Sequence, residues 1–227
     1  MKNSLGEFLQ NNEVEVFFGN RLANEAALAV EFSGLQLASL NQIHTAVIID
    51  RTLPGRHETS ADGHLTRVPG LALAIRTADC LPVMIYDPRL KVVTALHAGW
   101  RGIECEIIPQ ALRRLGTMGA DLSRASAWIG PHIGPESFEV GLDVAELLLQ
   151  AHKRALGSEN PVLPDAISTK AKVNLLMIAR AQLTAGGITG ERIFEHVTDT
   201  MTSNEHSSYR RDREQAGRQF SFIRLKP

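Results

Sequence analysis

The feature that most constrains the fold is a series of short apolar runs, each bounded by turn residues. The runs are rich in Val, Ile and Leu, and this length and composition are typical of buried β-strands. A last strand is predicted close to the C-terminus. The predicted strands are residues 46–49, 71–76, 83–86, 92–96, 125–129 and 219–225.

Helical patterns lie between and after these runs. Residues 143–156 repeat apolar side chains at the spacing of one helix face, with Asp143 as the predicted N-cap. A second helix begins after Asn174, a good N-cap, and ends at the glycine pair 186–187. A third helix is predicted over residues 104–115.

Strands and helices do not alternate regularly along the chain, so a purely parallel sheet is not expected. Two stretches rich in Pro, Gly, Ser and charge, residues 54–62 and 157–169, are predicted to be surface loops and not linkers between domains. The pattern therefore predicts an α+β fold with a mixed sheet, in a single domain that spans residues 1–227.

Composition narrows the function classes. Hydrophobic residues make up 44% of the 227 residues and charged residues 22%, as in a soluble protein. A net charge of −1 provides no overall field for nucleic acid or for an anionic membrane, so neither partner is expected. No apolar run is long enough to cross a bilayer, and the N-terminus does not resemble a signal peptide, so we expect a cytoplasmic protein. We expect a monomer or a weak homodimer.

Side chains that can do chemistry lie where predicted strands end. Cys80 precedes the strand at 83–86, His97 follows the strand at 92–96, and His44 precedes the strand at 46–49. A Cys and two His from three separate elements suit a catalytic zinc, which keeps a fourth position open. Taken singly, each histidine is more often a structural or surface residue, and the sequence spacing matches no short metal motif.

Four further residues are candidates for the same site. Asp79 and Asp62 could orient a histidine ligand or transfer protons. Arg101 follows His97 in a glycine-rich turn that leads into a helix, where an anion such as phosphate is favoured. His132 lies in a Gly/Pro loop that could wrap over a pocket. We therefore assign Asp79 to catalysis and Asp62, Arg101 and His132 to substrate binding.

The remaining chemically active side chains are interpreted conservatively. The arginines around residues 208–213 and at 218 could bind phosphate, but a solvated face or an internal salt-bridge network is the commoner role of such a cluster. Cys105 is predicted to be a core residue. The other histidines are predicted to be solvated, namely His57, His64, His152, His196 and His206.

Several motifs together resemble the laccase-domain, or polyphenol oxidase, family. The most specific are T-A-D-C-L-P-V at 77–83 and H-A-G-W-R-G at 97–102. A-D-G-H-L-T at 61–66 and S-Y-R-R-D at 208–212 extend the resemblance over most of the chain from about residue 40. The segment before residue 40 looks shortened relative to that family, which puts the substrate contacts on that side in question.

The resemblance implies a four-layer α/β/β/α arrangement and a zinc ion held by His44, Cys80 and His97. Members of this family are reported to phosphorolyse adenosine, inosine, guanosine and methylthioadenosine, and to deaminate adenosine. The same family has been assigned copper-dependent phenol oxidation and, in bacteria, peptidoglycan editing by an amidase that hydrolyses UDP-MurNAc-serine. We therefore predict a zinc-dependent purine nucleoside enzyme with phosphate as co-substrate.

The alternatives differ in chemistry. Copper oxidation is disfavoured because only two His and one Cys converge, whereas multicopper sites need more histidines. A metal-free hydrolase, in which His97 activates Cys80, remains open. So do the cell-wall amidase and a regulatory protein that keeps a zinc site without turnover.

Overall fold

The computed structural model describes residues 2–164 and 169–227. Its strands are β1 (Lys2–Asn3), β2 (Gly6–Gln10), β3 (Val14–Gly19), β4 (Gln36–Asn41), β5 (Ile48–Asp50), β6 (Gly55–Ser60), β7 (Gly63–Thr66), β8 (Leu71–Thr77), β9 (Leu81–Asp87), β10 (Val92–Ala98), β11 (Ser126–Ile129), β12 (Glu139–Gly141), β13 (Val162–Pro164), β14 (Lys170–Val173), β15 (Ile193–Glu195) and β16 (Gln219–Leu225). Its helices are α1 (Glu25–Glu31), α2 (Trp100–Glu104), α3 (Ile107–Thr117), α4 (Leu142–Arg154), α5 (Leu175–Ala185) and α6 (Tyr209–Asp212).

Two mixed sheets form the inner layers. Among the described residues the first sheet has the strand order β1-β2-β3-β16-β8-β4-β6, and the second has the order β15-β11-β9-β10-β7-β5. Most neighbours are antiparallel, but β4 pairs in parallel with β8 and β6, β5 pairs in parallel with β7, and β11 pairs in parallel with β15. A small third sheet, β12-β14-β13, lies apart from these two.

The apolar side chains divide into three clusters that separate four layers. Met84 and Tyr86 of the second sheet meet Val16 and Ile223 of the first sheet between the two sheets. Phe222 and other residues on the outer face of the first sheet pack against Leu28 of α1. The outer face of the second sheet packs against α2, α3, α4 and α5. The expected four-layer α/β/β/α arrangement is thus confirmed.

Local sequence signals explain several element boundaries. The Asn174 side chain accepts a hydrogen bond from the Met177 N–H and caps α5, as predicted, and the helix ends before Gly187 at φ +108°. Helix α4 is capped by Gly141 without a side-chain bond, so the prediction that Asp143 is its N-cap is wrong. Asp143 instead lies in the first turn, where a negative charge favours the helix dipole.

The predicted helix over residues 104–115 is two helices in the structure. Helix α2 ends at Glu104, and α3 begins at Ile107 after Glu106 adopts a left-handed conformation at φ +62°. Cys105 lies in this break and is exposed, so its assignment to the core is wrong. Cys105 follows the last residue of α2 and precedes α3, so it does not lie on the buried face of either helix.

Two segments predicted as loops contain strands. Residues 54–62 include β6, which adds in parallel to the edge of the first sheet beside β4. Residues 157–169 include β13, which pairs with β14; the part of this segment at residues 165–168 lies outside the described residues. Strand β6 is a polar edge strand and lacks the apolar pattern that identifies a buried strand. Strand β13 is an apolar run of only three residues inside a stretch rich in Pro, Gly, Ser and charge.

Three histidines predicted to be solvated are buried. His64 lies in β7 between the two sheets, His152 lies on the inner face of α4, and His206 lies in the C-terminal segment. His57 and His196 are partly exposed. In the chain that the structure describes, no helix combines the length and the apolar character needed to span a membrane.

Candidate metal centre and active site

One end of the second sheet brings three metal-ligating side chains together. Strand β9 runs antiparallel to β10, with His97 opposite Pro82 and Ala98 opposite Leu81, so Cys80 and His97 lie at the same rim. His44 comes from the loop between β4 and β5. Its ring centroid lies 4.7 Å from that of His97, and its Nε2 lies 3.9 Å from Cys80 Sγ.

The donor atoms of His44, Cys80 and His97 all lie within 4.8 Å of one another. A tetrahedral zinc with ordinary Zn–N and Zn–S bonds needs donors roughly 3.3–3.6 Å apart. The set is therefore slightly open for such an ion but close to the required size. A Cβ on Gly99 would lie 2.9 Å from Cys80 Sγ and 3.0 Å from the His44 ring, so only glycine leaves this space free.

Asp62 holds two of the three donors from beneath the site. Its carboxylate accepts hydrogen bonds from the backbone N–H groups of Ile43, His44 and Thr45 at 3.1, 2.9 and 2.7 Å, and from the Thr45 hydroxyl at 2.8 Å. It also lies 2.8 Å from His97 Nδ1. This last contact leaves Nε2 of His97 as the ring nitrogen that can face an ion.

These contacts also compensate for an unfavourable backbone. His44 has φ +64°, a left-handed conformation that is rare for residues other than glycine. Burial alone would raise the pKa of Asp62, but the hydrogen bonds from His97, Thr45 and His44 outweigh burial and lower this pKa to about 2. Asp62 is fully buried and ionised, and it fixes the His44 loop and the His97 ring in one geometry.

The half-buried Cys80 and the buried His97 favour opposite charges. Burial would raise the pKa of the Cys80 thiol, but the nearby His97 charge and the hydrogen bonds from His44 and His97 lower it. Burial would lower the pKa of His97, but the Cys80 thiolate and Asp62 raise it. Cys80 is therefore a thiolate near neutral pH, the form that serves both as a metal ligand and as a nucleophile.

Asp79 connects the turn before β9 to the C-terminal segment. It has φ +84°, and its two carboxylate oxygens accept hydrogen bonds from the Thr200 hydroxyl at 2.7 Å and from the Arg210 N–H at 2.6 Å. Its carbonyl accepts from the Ile133 N–H at 2.9 Å. Both acid oxygens are thus engaged in holding the segments that surround Cys80.

A cavity of about 550 Å³ opens above the three donors. Arg101 lies at its edge with its guanidinium 4.3 Å from the centre of the Trp100 ring, and the Phe138 side chain forms another part of the wall. The complete lining is Gln42, His44, Arg76, Ala78, Asp79, Cys80, His97, Trp100, Arg101, Ile133, Phe138, Val140, Tyr209, Arg210, Arg213 and Arg218.

The structure brings most of the predicted site residues to this cavity, but not all of them. Asp62 lies behind the donors and does not line the cavity. His132 is buried elsewhere, with Nδ1 2.8 Å from the Gly130 carbonyl, and it does not line the cavity either. Burial lowers the pKa of His132, so its ring is neutral. The role of His132 in substrate binding stays a prediction.

Sequence reasoning missed three cavity residues, Gln42, Arg76 and Tyr209, and did not single out Arg218 from its cluster. Gln42 exchanges two hydrogen bonds with the backbone of Arg76, at 2.8 and 2.9 Å. The signal for Arg76 was a charged residue that closes an apolar strand just before the motif with Asp79 and Cys80. Arg211 of the same cluster is internal, because it donates to four backbone carbonyls and to Asp212.

A second cavity of about 610 Å³ lies at the other side of the sandwich. Trp128 and Phe194 stack in its wall with ring centroids 5.7 Å apart. It is larger than the cavity above Cys80, but its lining contains no part of the Cys and His cluster. The Cys and His cluster therefore belongs to the smaller cavity.

The fold and the site together define a class of protein, a four-layer α/β/β/α molecule with a Cys–His–His cluster at the end of an inner sheet. The chain belongs to the multi-copper polyphenol oxidoreductase laccase family, whose family model matches residues 11–226. The resemblance expected from the motifs is thus confirmed.

Relatives and a solved structure agree with this assignment. A purine nucleoside phosphorylase of Deinococcus radiodurans is 35% identical over 88% of this chain and 74% of its own length. Adenosine deaminase RL5, from an unknown prokaryotic organism, is 32% identical over 65% of this chain and 55% of its own length. The crystal structure of YlmD from Geobacillus stearothermophilus has the same fold, with a TM-score of 0.84 at 23% identity over 100% of this chain and 98% of that one.

Proposed function

We propose that this chain is a zinc-dependent enzyme that phosphorolyses adenosine, inosine, guanosine and methylthioadenosine and deaminates adenosine. At the level of the family, action on purine nucleosides follows from relatives named purine nucleoside phosphorylase and adenosine deaminase. The observation that carries the zinc part is the convergence of His44, Cys80 and His97 beneath an open cavity.

The donor set supports zinc better than copper. One thiolate and two imidazoles are the ligands of several catalytic zinc sites, in which the fourth position stays open. Within residues 2–164 and 169–227 there is one cluster of at least three possible metal ligands, formed by His44, Cys80 and His97. A multicopper site would need more histidine ligands than this cluster provides. A zinc ion held there would act as a Lewis acid toward the substrate.

The chain's own residues would supply orientation. In phosphorolysis, a phosphate oxygen forms a bond to the ribose C1′ while the bond from C1′ to the purine nitrogen breaks. Arg101 is exposed and makes no ion pair with a described carboxylate, so its guanidinium is available to hold the phosphate. The Trp100 side chain also lines the cavity and would contact the purine there.

Asp62 and Asp79 would position other protein groups and would not contact the substrate themselves. All the described hydrogen bonds of Asp62 go to the His44 loop and to His97, and Asp79 binds Thr200 and Arg210. In deamination, water replaces the amine on the purine ring carbon and the amine leaves as ammonia. Asp62 would keep Nε2 of His97 directed into the cavity during both reactions.

An assay panel tests this function. Adenosine, inosine and methylthioadenosine are incubated with the purified chain, with and without phosphate, beside the His97→Ala variant. We expect free purine base only when phosphate is present, inosine and ammonia from adenosine without phosphate, and neither product from His97→Ala. Absence of every product with the zinc-loaded protein would refute the proposal.

A metal-free cysteine enzyme is the second candidate, because the pKa of Cys80 is lowered and His97 lies beside it. Metal analysis of the purified protein distinguishes the two. Stoichiometric zinc that is lost in Cys80→Ala supports the zinc enzyme. An active, metal-free protein whose Cys80 is trapped covalently by substrate supports the alternative.

A further inference from the structure

Five arginines line the cavity above Cys80, and none of them makes an ion pair with a carboxylate of the described residues. They are Arg76, Arg101, Arg210, Arg213 and Arg218. Elsewhere in the described chain several arginines do pair with an acid, namely Arg114, Arg154, Arg180 and Arg224. The cavity therefore concentrates positive charge that the protein itself does not neutralise.

Glu25 acts on the charge of Arg76 but forms no ion pair with it among the described residues. Four other acids that lie close to the cavity arginines are already engaged. Asp79 accepts from Thr200 and from the Arg210 backbone, so it is not a free counter-ion. Glu139 pairs with Lys170 at 2.8 Å. Glu214 accepts from the Tyr209 hydroxyl at 2.9 Å, and Asp212 pairs with Arg211 at 2.8 Å.

Three of the arginines form one wall of the cavity, which we call the arginine wall: Arg76, Arg213 and Arg218. Arg218 lies over the Tyr209 ring at 5.9 Å, and the charges of both Arg213 and Arg218 act on Tyr209. Burial lowers the pKa of the Arg76 guanidinium, and the charges of Arg56 and Arg218 lower it further. Like charges are thus held near one another.

Arg76 has donor capacity to spare. Its backbone is fixed by Gln42, and its Nη2 donates to the Leu40 carbonyl at 3.2 Å. Its Nε is buried and has no hydrogen-bond partner among the described residues. A half-buried guanidinium that faces other guanidinium groups and keeps an unused N–H is stabilised when an anion binds.

We infer that the arginine wall binds the phosphate groups of a purine nucleoside 5′-diphosphate whose base and ribose lie toward Cys80 and His97. The purine part of this inference rests on the proposed function, and the phosphate part deepens that function by naming the substrate class. Free phosphate shares the same chemistry. A nucleotide fits this site better than free phosphate, because one phosphate would not fill a cavity of about 550 Å³. The arginine wall and Arg101 also reach the cavity from different segments of the chain.

Binding measurements by calorimetry test the inference without requiring turnover. The probes are ADP, adenosine and inorganic phosphate, each titrated separately into the purified full chain without added magnesium. We expect ADP to bind at least about tenfold more tightly than adenosine, since charge-assisted hydrogen bonds add to the same purine contacts. Raising the salt concentration should weaken ADP binding more than adenosine binding.

Two exposed wall residues supply the variants, Arg218→Gln and Arg213→Gln, and Arg89→Gln is the matched control. Arg89 is an exposed arginine between β9 and β10 that does not line the cavity. We expect each wall variant to weaken ADP binding about five- to tenfold and adenosine binding less than twofold. Arg89→Gln should change neither. Circular dichroism of each variant verifies that it is folded.

The outcomes separate this inference from the proposed function. Tight, wall-dependent binding of ADP supports the inference even if no nucleoside is converted, an outcome that would refute only the proposed function. ADP that binds no more tightly than adenosine overturns the inference even if nucleosides are converted. Wall-dependent binding of free phosphate without a preference for ADP also overturns it, because the anion is then not part of a nucleotide.

Discussion

Two buried histidines on neighbouring strands show how differently the same side chain behaves in this molecule. His97 at the end of β10 and His64 in β7 are 4% and 0% exposed, and the strands pair with His64 opposite Ala95. His97 contacts Asp62 and lies beside Cys80, and its pKa is raised. Burial and, to a smaller extent, the Arg51 charge lower the pKa of His64 to about 3.

The difference comes from partners and not from burial. The Ala74 backbone acts on His64, but neither ring nitrogen forms a well-aligned hydrogen bond with a described residue. His97 has a buried carboxylate behind it and a thiol in front of it. A buried imidazole thus becomes part of a reactive site only when charged groups are built around it.

The largest expected effect is the difference in bound metal between a variant of His97 and a variant of His64. We expect His97→Gln to lose nearly all bound metal, because only two of the three ligands remain. His64→Gln should keep about one metal ion per chain, since it changes no donor. Metal content after purification in zinc-containing buffer decides this, and equal metal content in both variants would contradict the ligand assignment.

Removing the charge behind His97 should have the next largest effect. Asp62→Asn keeps the size of the side chain but weakens its bonds to His97, His44 and Thr45. We expect metal affinity to fall about 10- to 100-fold in a competition with a chelator.

The matched control is Asp87→Asn, at the far end of β9. Asp87 is equally buried and accepts hydrogen bonds from the N–H groups of Leu90 at 2.7 Å and Asp121 at 3.1 Å. The Asp87→Asn variant should lower the free energy of unfolding without changing the metal affinity. If both variants lose metal to the same extent, then Asp62 has only a general structural role.

The protonation of His64 should appear in the pH dependence of stability. Its pKa is about 6.5 in the unfolded chain and about 3 in the folded protein, so below pH 6.5 only the unfolded state gains a proton. The stability contributed by neutral His64 is complete above pH 6.5 and decreases as pH falls toward 3. At pH 5 the loss is about 2 kcal/mol.

His64→Leu removes this titrating group at similar volume. We expect its free energy of unfolding, measured in urea at pH 7.5 and pH 5, to fall less between the two values than that of the unaltered chain. Identical pH dependence in the two proteins would show that folding does not lower the pKa of His64.

The smallest effect is expected from Thr45→Val, which removes one of the hydrogen bonds to Asp62. The three backbone N–H donors remain, so the carboxylate stays ionised and in place. We expect a loss of about 1 kcal/mol in the free energy of unfolding and less than about a fivefold change in metal affinity. A loss of metal as large as that of Asp62→Asn would mean that the hydroxyl, and not the backbone, positions Asp62.

Local patterns predicted much of the fold. The boundaries of β16 match the predicted strand at Gln219–Leu225, and Asn174 caps α5 as expected. Such features depend on residues close in the sequence, either alternating burial or a side chain that reaches its own backbone. Strand β6 was missed because pairing at the edge of a sheet does not require an apolar pattern, and β13 was missed because its apolar run is only three residues long.

The candidate site was predictable to a lesser degree. The ends of two predicted neighbouring strands suggested that Cys80 and His97 meet, and the pairing of β9 with β10 has that register. Arg76 carried only a weak signal, as a charged residue at the end of an apolar strand, and Tyr209 carried none. The two line one cavity because β8 and the C-terminal segment meet there in the packed structure. Long-range contacts of this kind leave no periodicity in either segment.

By itself the sequence determined which residue types were available for chemistry and which runs had to be buried, since both depend on composition and local spacing. Only the tertiary structure decided which histidine became reactive. His64 and His97 are both buried and lie on adjacent strands, but Asp62 and Cys80 converge on one of them. Burial makes an imidazole sensitive to its neighbours, and those neighbours come from distant parts of the chain.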